Sequence, residues 1–270
     1  MTHTLPTIPG FHVTVGQPYT PGDALKWLQA FGVKAVPMDQ LLPTPMAIRV
    51  HDWQRDWTEY GMQQAAEEGL ALGYEVHVNT TDTEVKIPDE FIFNHSHDVV
   101  WSFGNSTDKG SGAVNRIDEA QDDAGIRGAI NNAKQLQGTN TPIAFHAYGD
   151  QGAHPAHLAL LRKWYPTRKF TLTELHWGFL GHSDEGDVSR DDKPHLYTAE
   201  AGAYCREMVI EAYKQHMACC LFRGKDFFEK DGMPTPSMLA LRGDIEAKPY
   251  RARTLALSRL MGMAVERYTK

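Results

Sequence analysis

The sequence predicts an α/β fold, a single-domain (β/α)8 TIM barrel over residues 1–270, and three observations lead to it. At 270 residues the chain has the usual length of one such barrel. About eight short apolar segments bounded by turn residues read as strands, which is the barrel number. Amphipathic stretches that read as helices lie between most of them, and strands alternating with helices pair in parallel.

In chain order the strand segments are 11–15, 34–38, 46–51, 74–78, 99–103, 142–146, 170–174 and 217–222. Their β-branched, aromatic and aliphatic residues suit a sheet covered by helices on one face and filled by side chains on the other. The helical stretches are 21–31, closed by Gly32, 59–72, closed by Gly73, and 113–136, closed near Gly138. Three more follow at 155–164, before Pro166, then at 198–216 and 251–267. Residues 34 to 46 leave too little chain for a full helix, and 179–193 read as a polar loop whose acidic run is a solvated excursion or a calcium loop. A doubly wound open sheet is the rival architecture. No repeat, linker or low-complexity tract divides the chain.

Composition narrows the function classes. A net charge of -7, from 27 basic and 34 acidic residues, gives no footprint for a phosphate backbone, so nucleic acid is not an expected partner. Cys205, Cys219 and Cys220 form no Cys-x-x-Cys pattern and read as buried thiols of a reducing compartment. The first ten residues have neither the basic nor the apolar region of a secretion signal, and no apolar run reaches a membrane span. A soluble protein made in the cytoplasm is expected, with no membrane partner; a phage-type product released by lysis would start the same way. Neither Gly-x-Gly-x-x-Gly nor a P-loop occurs, Lys109-Gly-Ser-Gly112 has the wrong spacing for a nucleophile elbow, and no cofactor is expected.

In a barrel, polar residues at the C-terminal strand ends face the site. Here these are Arg49, His51 and Asp52, then Asn79, then Asn105 and Asp108, then His146, Tyr148 and Asp150, then Glu174, His176 and Trp177, and last Arg223 and Asp226. The segments Ala47-Ile-Arg-Val50, Trp101-Ser-Phe-Gly-Asn-Ser106, Phe145-His-Ala-Tyr148 and Leu172-Thr-Glu-Leu-His-Trp177 occur in that order. In this the chain resembles the retaining (β/α)8 glycoside hydrolases of the cellulase-like clan.

The resemblance implies hydrolysis of a poly- or oligosaccharide, with Glu174 as the nucleophile and Arg49 and Tyr148 holding it ionised. It implies that Asn105 binds the hydroxyl beside the reacting carbon, that His146 is a substrate-side group, and that Trp177 and Trp101 offer stacking faces. At the family's acid position, directly after the Asn, this chain has Ser106, whose hydroxyl cannot serve as a general acid near neutral pH. Asp108 or Asp150 would have to act instead, Asp150 with help from burial. Two other functions share these residues: a barrel that binds carbohydrate or a protein without cleaving, and a metal-assisted hydrolase using His51, Asp52, His146 and Glu174. No metal ligand set is assigned, because His95 and His97 precede their strand and fall on the opposite face. Each residue also has a structural use: Glu174 as the ion partner of Arg49, His146 as a satisfied interior group, Tyr148 and the tryptophans as packing.

Overall fold

The computed structural model describes residues 5, 9–13, 45–50, 62–80, 99–103, 142–151, 153–164, 166–167, 169–178, 182–183, 186–187, 194–222, 227–229 and 233–251. Its strands are β1 (Gly10–Val13), β2 (Pro45–Val50), β3 (Glu75–Thr80), β4 (Val99–Phe103), β5 (Ile143–Tyr148), β6 (Phe170–His176), β7 (His182–Ser183), β8 (Gly186–Asp187) and β9 (Ala218–Leu221). Its helices are α1 (Met62–Ala71), α2 (Pro155–Trp164), α3 (Ala199–Lys214) and α4 (Pro236–Arg242). The expected strand 34–38, the helices 21–31 and 113–136, and nearly all of 251–267 lie outside the described residues.

Seven of the strands close into a ring in the order β1-β2-β3-β4-β5-β6-β9, and every pairing in it is parallel. Each coincides with an expected segment. Because the strands run the same way, their C-terminal ends gather on one face, and there β5 and β6 run two residues beyond their expected limits. The loop expected over 179–193 contains a small antiparallel pair, β7 with β8. Among the described residues no helix is long and apolar enough to cross a membrane.

All seven residues of β6 are buried, as expected of a strand with the ring's interior on one side and helices on the other. Across that interior, Thr171 Oγ1 of β6 lies 3.3 Å from His77 Nδ1 of β3, so these two side chains mark the inner face of their strands. His77 also bonds the Glu75 carboxylate. Burial works to raise Glu75, but the hydrogen bond and charge of His77, with the charge of Lys169, outweigh it and hold the carboxyl below its ordinary range.

The helices start and stop on capping residues. Thr198 accepts from Ala201 N at the head of α3, and Thr235 accepts from Met238 N at the head of α4, where Pro236 occupies the first turn. Gly243 closes α4 in the left-handed conformation, φ 87°. The expected helix over 198–216 is α3; α4 is additional to the expected set. The two pack closely at Gly202, where an added Cβ would overlap the Ser237 carbonyl oxygen. All three cysteines are buried, and burial pushes the Cys205 and Cys219 thiols well up from their usual range.

Two stability outcomes follow. Gly202→Ala is expected to cost about 1–3 kcal/mol in urea unfolding, because backbone must move to admit the methyl group; an unchanged midpoint would show that the helices separate freely. His157, buried at the start of α2, is pushed from 6.5 down to about 4 by burial, with His154 adding to the effect. The unfolded chain therefore binds this proton at a higher pH than the fold does. Its contribution is full above about pH 6.5 and declines to a loss of about 3 kcal/mol as pH falls through 4. His157→Gln should flatten that part of a stability profile, and an equally steep profile in the variant would count against the assignment.

Candidate active site

One irregularity in β6 builds the site. Phe145 of β5 is paired with Leu172, but the next residue, His146, is paired with Glu174, so Thr173 is an extra residue. Against β9 the same excess recurs, since Leu172 pairs with Cys219 and Leu175 with Leu221. Side chains alternate between the faces of a strand, so one inserted residue reverses the facing of everything after it. With Thr171 inward, a regular strand would turn Thr173 and Leu175 inward; the bulge turns Glu174 and His176 inward instead. Leu172 and Leu175 are left facing the helices.

Glu174 then meets two residues of β5. The Tyr148 hydroxyl donates to Oε2, and His146 Nε2 lies 3.1 Å from Oε1, in ion-pair range. All three side chains are wholly buried. The Tyr148 ring is edge-on both to His146, with centroids 5.8 Å apart, and to Phe222, 6.1 Å away. A lone carboxylate in such a place would cost several kcal/mol, and the hydroxyl and imidazole each offset part of that cost. A donated hydrogen bond also favours the carboxylate form over the acid.

The other expected residues are placed as follows. Arg49 of β2 is in register with Asn79 of β3, which is in register with Ser102 of β4, near the C-terminal ends of those strands. Trp101 belongs to the adjoining row, with Ile48 and Val78. Asn105 and Asp108, like His51 and Asp52, lie outside the described residues. Asp150 stands in a single 3-10 turn after β5 (Gly149–Gln151), where its N–H donates to the Trp177 carbonyl at 2.7 Å. It is exposed and so lacks the burial that its use as an acid calls for. Trp177 follows the inward His176 and packs toward α3, edge-on to Tyr204 with centroids 5.2 Å apart and tilted over Tyr250 at 4.8 Å. Gly149 lies against its ring, where a Cβ would overlap it. Among the described residues, no group of three or more His, Cys, Asp or Glu side chains is placed to hold a metal ion.

His176 has no role in the family resemblance, yet it shares the inner face with Glu174 and is paired in register with Tyr148. The sequence already places it among the strand-end polar residues, and a further signal for its facing is the failed alternation of 170–176. Read with a plain period of two, both faces mix polar and apolar residues; read with Thr173 skipped, Thr171, Glu174 and His176 share one face and Leu172 and Leu175 the other.

No family model matches the chain, and no curated protein does. Among solved structures, SrfJ from Salmonella typhimurium is similar to it with a TM-score of 0.39 and 13% identity, over 81% of this chain and 65% of that one. A likeness of that degree decides neither fold nor activity.

Tyr148→Phe removes the hydroxyl while keeping the ring that packs on His146 and Phe222. The expected result is a loss of about 1.5–3 kcal/mol in urea unfolding, since a buried carboxylate loses a donor. Tyr148→Phe combined with Glu174→Leu should recover part of that loss in a double-mutant cycle. Additive effects would mean that the two groups are not coupled.

Proposed function

We propose that the chain is a glycoside hydrolase of the (β/α)8 type, acting on a poly- or oligosaccharide with Glu174 as its nucleophile. What supports this reading is the buried Glu174 on the inner face of a parallel ring, near the C-terminal end of its strand, with Tyr148 donating to one oxygen and His146 beside the other. The order of motifs that resembles the retaining hydrolases supports it too.

In this reading Glu174 Oε1 or Oε2 attacks the anomeric carbon, the glycosidic C–O bond breaks, and the leaving oxygen takes a proton from an acid. Water then attacks the same carbon, the glycosyl ester bond breaks to return the Glu174 carboxylate, and the acid residue recovers its proton from the water. Asp108 or Asp150 supplies that acid in place of a family glutamate. Asp150 stands on the turn after the neighbouring strand, hydrogen-bonded through its backbone to the end of β6.

A second reading, a barrel that binds carbohydrate or a protein without cleaving, is favoured by Ser106 at the family's acid position and by the exposure of Asp150. Glu174→Gln separates the two. Hydrolysis predicts a fall in turnover on the order of 10^4-fold or more, with the fold kept. A wild-type protein that binds glycans but releases no reducing ends supports the binder. A purely structural Glu174 would show instead as a stability loss of about 3–5 kcal/mol with little specific effect on any activity. To identify the acid, Asp108→Asn and Asp150→Asn are compared on substrates with good and poor leaving groups; the true acid's loss should hurt the poor leaving group far more.

A further inference from the structure

The helix α2 begins with Pro155, which has no N–H to donate, so its first turn rests on the amides on either side of that residue. Both of those amides are met by histidines. Ala156 N donates to His154 Nδ1 at 3.1 Å, and His154 N donates to His157 Nδ1 at 3.2 Å. His154 is thus the N-cap and His157 the third residue of the helix, and the two bonds are those of a capping box with imidazoles in place of the usual hydroxyl and carboxylate. Each Nδ1 accepts, so each neutral ring carries its proton on Nε2. The rings stand edge to face, with centroids 6.2 Å apart, and His157 is buried. Among the described residues, the charged groups that act on the pair are the two imidazoles themselves and the Glu207 carboxylate of α3.

Protonation undoes such a cap twice over. A protonated imidazole has an N–H on both nitrogens and cannot accept, so both bonds are lost, and two positive charges then stand together at the positive end of the helix dipole. Burial opposes that charge and holds both imidazoles below their ordinary range, His157 at about 4; His154 adds to the effect on His157, and Glu207 works against it on His154. The cap's contribution is therefore full above about pH 6.5 and is lost as pH falls through the lowered range. The segment it holds leads directly to the site. Ala153 N donates to the Tyr148 carbonyl at 3.0 Å, the Ala153 carbonyl accepts from the Tyr204 hydroxyl, and between Tyr148 and Ala153 stands the turn that bears Asp150. We infer that His154 and His157 form an acid-sensitive latch: their protonation frees the head of α2 and the Gly149–Gln151 turn while the ring of strands stays closed. The inference stands whether the barrel cleaves its ligand or only binds it.

The test replaces the titrating acceptors with permanent ones. In the double variant His154→Asn with His157→Gln, side-chain oxygens accept from the same two amides and neither group titrates. Amide hydrogen exchange, corrected for the intrinsic pH dependence of the exchange chemistry, is compared at about pH 7 and about pH 4 in the wild type and the variant. The expected result in the wild type is a loss of protection of roughly tenfold at Gly149–Gln151 and over 153–158 on acidification, with β6 keeping its protection. The double variant should keep its protection in both places. Unchanged protection at the head of α2 in the wild type, an equal loss in the variant, or a loss in β6 to the same extent would overturn the inference. Should the variant fail to fold, the wild type labelled with 15N is titrated over the same range. Ring nitrogens that show Nδ1 unprotonated at about pH 7, with the His154 and Ala156 amide resonances moving in step with the imidazoles, support the latch. A proton on Nδ1 at that pH, or amide resonances that do not follow the imidazoles, overturns it.

Discussion

Between Leu172 and Glu174 the strand β6 carries one residue more than either neighbour, and the period-two geometry of a strand makes the facing of every later side chain depend on that insertion. With it, Glu174 and His176 enter the ring while Leu175 and Trp177 face the helices. Without it, Leu175 would enter the ring and a carboxylate would be pressed into the apolar layer beneath α3. Burial would then oppose the fold instead of accompanying a site. The bulge is therefore the feature on which both the polar interior and the apolar exterior of this strand rest.

β5 is in phase with the buried Glu174 and supplies two of its polar neighbours. Ala144, His146 and Tyr148 alternate along β5 and so share one of its faces. The register shift matches the Cα of His146 to that of Glu174, which brings both polar residues of β5 within reach of one carboxylate. Lower in the ring, Thr171, His77 and Glu75 make a second polar contact across the interior. Among the described residues, the polar contact nearer the strands' N-terminal ends joins opposite strands and the one nearer their C-terminal ends joins adjacent ones.

How far the sequence reveals this depends on the kind of signal. Seven of the expected strand segments are strands of the ring, because turn residues and apolar runs are local and dense. Glu174, His146 and Tyr148 are legible as a group because polar residues at the ends of parallel strands have one common face to occupy. The bulge is not legible from local preference, since Thr-Leu-Thr-Glu-Leu-His reads as ordinary strand; only a comparison of the two possible facings shows it. Trp177 illustrates the cost of missing it. Its neighbourhood to Glu174 in sequence suggests a stacking platform at the mouth, whereas the phase of the strand turns it to Tyr204 and Tyr250.

That outward placement of Trp177 bears on the site all the same. Its carbonyl receives the Asp150 N–H, its ring lies over Gly149, and Tyr204 beneath it donates to the Ala153 carbonyl. The turn after β5 is held by the end of β6 and by α3 at once, so the backbone bearing Asp150 has little freedom independent of Glu174. Gly178 completes the arrangement, since a side chain there would collide with the Asp150 carboxylate and with Leu196. An acid on this turn would act from a position fixed by aromatic packing outside the ring, and the same packing would hold a fixed edge for a ligand that is bound and not cleaved. The two readings of the barrel therefore share one scaffold, and they differ in whether a proton can be delivered from its rim to an oxygen above Glu174.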